Sequence, residues 1–157
     1  MSRKLSLPLT LWDERKKPTV DAVRKRLGGR AATEPGVGEP VHLRSERGFD
    51  RVGVVLFVHA DELHVWIDGG VVRRAPRSST RAVDGALSTD LLAVSEDARL
   101  FATLREGERV RYLDQGGASE GALVEKCRFG GLVERADGTV VGVGFRKLRR
   151  ADPRESN

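Results

Sequence analysis

Cysteine is all but missing from this sequence. Cys127 is the single one among 157 residues, so no intramolecular disulfide can form, and a reducing cytoplasm is the expected setting. Long apolar runs are missing too. No stretch approaches the about 20 apolar residues that a membrane span needs. Met1 leads into Ser2, Arg3 and Lys4 rather than into the apolar core of a signal peptide. No membrane partner is expected. Histidine is scarce: His42, His59 and His64 are the only three, no further ligand stands at metal-binding spacing, and ordinary strand histidines are the better reading. The sequence has no GxxxxGK[ST] loop. Gly142-Val143-Gly144 is a glycine pair in a strand, not a dinucleotide fingerprint, and no Ser/His/Asp set can be assembled. No catalytic residue, metal site or cofactor is therefore assigned, and an enzyme is not expected.

Charge is plentiful but unevenly placed. The formal net charge is +5; residues 1–36 hold nine Lys/Arg against four Asp/Glu, and residues 37–157 hold nineteen of each. The excess thus falls in the N-terminal segment, which weakens the simplest nucleic-acid reading of a basic chain. The arginine-rich, small-apolar composition suggests a GC-rich bacterial gene.

Along the chain, Leu5, Leu7, Leu9 and Leu11 alternate ahead of Trp12, the period of a half-buried strand. Pro8 restricts that strand to a sheet edge or to an extended docking peptide. Thr19 is placed to cap a short helix with Val20, Val23 and Leu27 on one side. Arg24, Lys25 and Arg26 crowd its last turn, and Gly28-Gly29 stop it. Residues 28–40 read as linker. Short strands follow at 41–44, 52–59, 63–68 and 71–74. Residues 78–88 read as loop, Ser95 as the cap of a helix reaching Glu106, and a second strand set as 110–113, 122–127, 132–135 and 140–145. The tail from Arg149 reads as charged and frayed.

The two strand sets resemble each other. Gly38-Glu39-Pro40-Val41 matches Gly107-Glu108-Arg109-Val110, Gly53 matches Gly121, and Asp68-Gly69 before Val71-Val72 matches Asp137-Gly138 before Val140-Val141. Arg77 then falls opposite Arg146, at an offset of 68 to 69 residues. This is an imperfect tandem repeat, with chance likeness between β-rich stretches as the alternative. A bend glycine and a D-G hairpin suit a small barrel. The stretch from Glu106 to Val143 is similar to the broad KOW/Tudor/SH3-like group, best over residues 107–148 and less well over 38–77. The resemblance implies a mainly β chain of two SH3-like small barrels in tandem: an arm over 1–37, barrels over 38–82 and 107–150, a helix-bearing linker over 83–106, and a charged tail over 151–157. It also implies binding of RNA, DNA, ribosomes, RNA polymerase or peptide partners, rather than catalysis.

Several residues are singled out for binding. Leu5, Leu7, Leu9, Leu11 and Trp12 are candidates for a protein partner, by strand addition or packing on the chain's own barrel. Trp66 alternates away from Leu63, Val65 and Ile67, so it reads as an exposed ring beside His64 or as one buried against another element. Lys16, Lys17, Arg24, Lys25 and Arg26 are candidates for an anionic partner. So are Arg73, Arg74 and Arg77, with Arg81, at the exit of the first module, and Arg146, Lys147, Arg149 and Arg150 at the exit of the second; a solvated basic edge is the alternative. The run Arg73–Arg77 resembles the arginine element before a PilZ barrel, but the companion [DN]-x-S-x-x-G motif is absent. Cys127, between Lys126 and Arg128, faces either solvent as a reactive thiol or the core, and the core is preferred. The expected function is a non-catalytic bacterial adaptor or regulator with a protein partner; RNA or DNA binding is the alternative, and a homo-oligomer is compatible with both.

Overall fold

The computed structural model describes residues 20–30, 36–45, 48–67, 70–114 and 117–151. The leucine strand with Trp12, and Lys16 and Lys17, lie outside them. The chain is mainly β and divides into two compact units, one of residues 33–102 and one of residues 1–32 with 103–157.

The 33–102 unit carries β1 (Pro40–Ser45), β2 (Gly48–His59), β3 (Glu62–Ile67), β4 (Val71–Pro76), a 3-10 turn (Arg77–Ser79) and β5 (Thr80–Ala82). All pairings are antiparallel, in the order β4-β3-β2-β1-β5. Alternation buries Val41, Leu43, Val55, Leu63, Val65 and Ile67 in one cluster. Helix α2 (Thr89–Thr103) follows. Its cap is Ser88, whose Oγ accepts the Leu91 N–H at 3.3 Å. Ser95, expected at the cap, sits in mid-helix on the buried stripe with Leu91, Val94, Ala98 and Phe101. Its hydroxyl donates to the Gly38 carbonyl at 2.6 Å, so the polar residue read as a helix start is a buried tie to the turn before β1.

The other unit carries α1 (Val20–Arg26), β6 (Arg109–Asp114), β7 (Gly117–Lys126), β8 (Gly130–Glu134), β9 (Val140–Gly144), a second 3-10 turn (Phe145–Lys147) and β10 (Arg149–Arg150). Its sheet order is β10-β6-β7-β8-β9. Read from the opposite edge, this is the order of the first sheet, strand for strand.

The likeness extends to single hydrogen bonds. Gly38 N–H donates to Val55 O at 2.7 Å and Val55 N–H to Glu39 O at 2.9 Å; Gly107 N–H donates to Leu123 O at 2.6 Å and Leu123 N–H to Glu108 O at 2.9 Å. Gly38 and Gly107 hold φ of 91° and 93°, a conformation open to glycine. The offset between copies is 69 residues up to the first hairpin and 68 from Gly53 onward. The change is taken up by a bulge, where Leu43 faces Arg51 but Ser45 faces Gly48, against an unbroken register from Leu113 to Asp114.

This register corrects three readings. Trp66 faces Val72 and Glu134 faces Val140, so Val72, not Val71, corresponds to Val140. Arg77 and Phe145 each open a 3-10 turn, so Arg77 stands opposite Phe145 rather than Arg146. Residues 80–82 and 149–150, read as loop and tail, are the closing strands β5 and β10.

Helix α1 belongs to the second sheet. Val23 and Leu27 share a core with Cys127, Leu132 and Val140, and Val20 packs against it. The helix ends as its glycines require: Gly28 N–H bonds Lys25 O at 3.1 Å and Gly29 N–H bonds Arg24 O at 2.9 Å, the paired bonds of a Schellman cap. Arg30, placed by sequence in a linker, forms an antiparallel bridge with Cys127.

Candidate functional site

In the unit that holds α1, three turns converge at one corner. Phe129 N–H donates to Leu27 O at 2.8 Å, Arg128 N–H to Gly29 O at 3.0 Å, and Phe145 N–H to Phe129 O at 2.9 Å. The end of α1, the turn between β7 and β8, and the 3-10 turn after β9 are thereby held together. Each brings basic residues: Lys25 and Arg26 from the helix, Arg128 from the turn, Arg146 and Lys147 from the 3-10 segment. Lys25 and Arg26 are exposed, and Arg128, Arg146 and Lys147 half-buried. Among the described residues, Lys25 and Lys147 have no carboxylate partner.

The neighbouring cations are spoken for. Arg24 pairs with both Asp21 and Glu125, and its guanidinium is held even more firmly protonated by the Glu125 bond. Arg30 reaches Glu106 at 3.2 Å and Glu125 at 3.7 Å. These contacts clamp α1 and the segment after it to β7. Lys126 is buried, donating its ammonium to Leu104 O at 2.9 Å. Burial pushes its pKa down, against the opposing pull of Glu106 and Glu108. Cys127 lies in the core at 2% exposure. Burial pushes its thiol up to about 12, with Glu125 adding to the rise and Arg24 opposing it.

The other sequence candidates scatter. Arg149 donates to the carbonyls of Arg146 and Leu148, and Arg150 binds Glu108 at 2.6 Å and the Thr103 side chain at 3.2 Å. Burial raises the Glu108 pKa, but the Arg105 N–H and the Arg150 guanidinium outweigh it and hold the carboxyl below its ordinary value. Arg73, Arg74 and Arg77 are exposed at the β4 edge, with Arg74 bonded to Glu62 at 2.7 Å. The two exit clusters do not coincide in the repeat: Arg73 and Arg74 correspond to Val141 and Gly142, and only Arg81 and Arg149 match. Trp66 is half-buried, and His64 beside it is buried with its ring 5.3 Å from that of Phe57.

No family model matches this chain, and no curated protein does either. The corner therefore rests on its own geometry. Regrouped by fold, the charge changes meaning. Residues 1–32 and 103–157 hold twenty Lys/Arg against twelve Asp/Glu, while residues 33–102 hold eight against eleven. Sequence order split the basic helix from the sheet it packs on, and so hid this segregation. Nothing in the sequence marks Arg128 as a contact, because a lone arginine in a strand-to-strand turn has no distinguishing pattern. Among the described residues, no group of three or more His, Cys, Asp or Glu could hold a metal, and no helix is long and apolar enough to cross a membrane.

Proposed function

We propose that this protein is a non-catalytic nucleic-acid-binding protein built from two SH3-like modules of the KOW/Tudor type, with the phosphate backbone held at the basic corner of Lys25, Arg26, Arg128, Arg146 and Lys147. The convergence of three turns on that corner is the observation that carries the reading. The module type is supported by the shared strand order and by the 3-10 turn before each closing strand. Lysine and arginine on a folded face attract phosphate and release counterions, without reading sequence themselves. The earlier objection, that the positive charge sits only in a tail, loses its force once α1 is part of a folded unit.

The test is fluorescence anisotropy with a labelled RNA and a labelled DNA duplex at graded salt. Binding should weaken with a log–log slope of about −0.9 per phosphate contact on the duplex and about −0.7 on a single strand. A Lys25→Glu, Arg26→Glu, Lys147→Glu variant should lose at least about tenfold in affinity and flatten that slope. Salt-independent binding, or none at low salt, counts against the proposal.

A protein partner is the second reading, favoured by the edge strand β4. Val71 there is 54% exposed, and among the described residues β4 is the last strand of its sheet, the position at which strand addition takes place. The leucine arm, outside the described residues, belongs to this reading too. Replacing Leu7 and Leu9 with Ser leaves every charge in place, so loss of association in that variant would favour the protein partner.

A further inference from the structure

The 33–102 unit contains a cleft of about 620 Å³ between the β1–β2 face, the segment after β5 and the first turn of α2, within the size range of small-molecule sites. Val52, Ile67 and Leu91 form its apolar wall, and His42, Arg51 and Asp84 supply its polar groups. Arg51 and Asp84 are exposed, while His42 is half-buried with its Nδ1 shut away from solvent and without a hydrogen-bond partner.

The tandem repeat supplies a comparison within the molecule. By register, His42 corresponds to Arg111 and its cross-strand neighbour Val52 to Glu120. In that copy the two positions satisfy each other, Arg111 bonding Glu120 at 3.1 Å. Ile67 corresponds to Arg135, which is bonded to the Tyr112 hydroxyl at 2.7 Å. One copy thus closes these positions with its own polar pairs. The other carries apolar residues, Val52 and Ile67, at two of these positions and a histidine at the third, so the cleft there stays open.

We propose that this cleft binds a small zwitterion, an aminocarboxylate with an apolar side chain. Arg51 takes the carboxylate, Asp84 the ammonium, and the apolar wall the side chain. A simple anion would meet Asp84, and a simple cation would meet Arg51; a zwitterion satisfies both charges.

The experiment is an amide NMR titration of the full chain with L-phenylalanine, L-phenylalaninamide and 3-phenylpropionate. L-phenylalanine should shift the His42, Arg51 and Leu91 amides saturably, and each analogue should bind about tenfold more weakly because it lacks one charge. Arg51→Ala and Asp84→Ala should each lose a similar factor with an unchanged melting temperature, since both residues are exposed. His42→Arg with Val52→Glu, which installs the pair of the other copy, should abolish binding while the remaining amide spectrum is kept. Absence of saturable shifts with all three probes overturns the assignment, as does equal binding of an analogue. So do shifts confined to the β6–β10 sheet.

Discussion

A Cβ on Gly121 would stand 2.5 Å from the Glu134 carbonyl oxygen and 2.6 Å from a Val133 methyl; one on Gly53 would meet the Trp66 carbonyl and a Val65 methyl, both at 2.5 Å. The same backbone-to-backbone approach has been kept in both copies because no side chain fits there. Gly121→Ala should cost about 1–3 kcal/mol, as overpacking does, read from a lowered denaturation midpoint. An unchanged midpoint would mean the strand can move aside. Cys127 makes a second residue-scale case. Its thiol titrates near 12 in the fold against an ordinary 9.0, so folding favours the protonated form. That contribution is complete below about pH 9 and is lost as pH rises toward 12. Native Cys127 should therefore resist thiol labelling at pH 8. Wild-type stability should also fall more steeply between pH 9 and 11 than that of Cys127→Ala, as followed by denaturation at each pH.

At the scale of elements, α1 is short and would not persist alone; what holds it is the burial of Val23 and Leu27 against Cys127, Leu132 and Val140. Leu27→Ala should destabilise by about 2–5 kcal/mol, measured by chemical denaturation, whereas Lys25→Ala should be near neutral. The helix itself was legible, since Val20, Val23 and Leu27 share one side and two glycines close it. Its docking partner was not, because Cys127 and Val140 lie a hundred residues away in sequence and nothing local points to them. The eight main strands were legible from their alternation and their turn glycines. The closing strands were not: β5 reads Thr-Arg-Ala and β10 Arg-Arg. Both are strands because β1 and β6 offer a free edge, not through propensity. Ser95 misled because a serine before acidic residues resembles a cap, and only the Gly38 carbonyl reveals its use. The candidate site was half legible. Lys25, Arg26, Arg146 and Lys147 stood out as charge, but Arg128 and the convergence of the three turns required the fold.

At the scale of the molecule, the unit formed by residues 1–32 and 103–157 is discontinuous, with the 33–102 unit inserted between its helix and its sheet. Such an insertion is tolerable because closing a long loop grows only logarithmically in cost, about 0.6 kcal/mol per doubling, which the packing of α1 can offset. The arrangement makes the integrity of the second sheet depend on a helix that precedes the whole first module. A chain lacking residues 1–30 would leave Cys127, Leu132 and Val140 without their cover and Glu125 without Arg24 and Arg30. In that chain, amide exchange should accelerate in β7, β8 and β9 while β1–β4 keep their protection. Cys127 should become open to labelling at neutral pH. Adding a synthetic peptide of residues 13–32 should restore both properties, since the helix would regain its apolar seat and its two ion pairs. Unchanged exchange in β7–β9 would show that the sheet stands without α1, and the basic corner would then be an attachment to a finished module rather than part of its core.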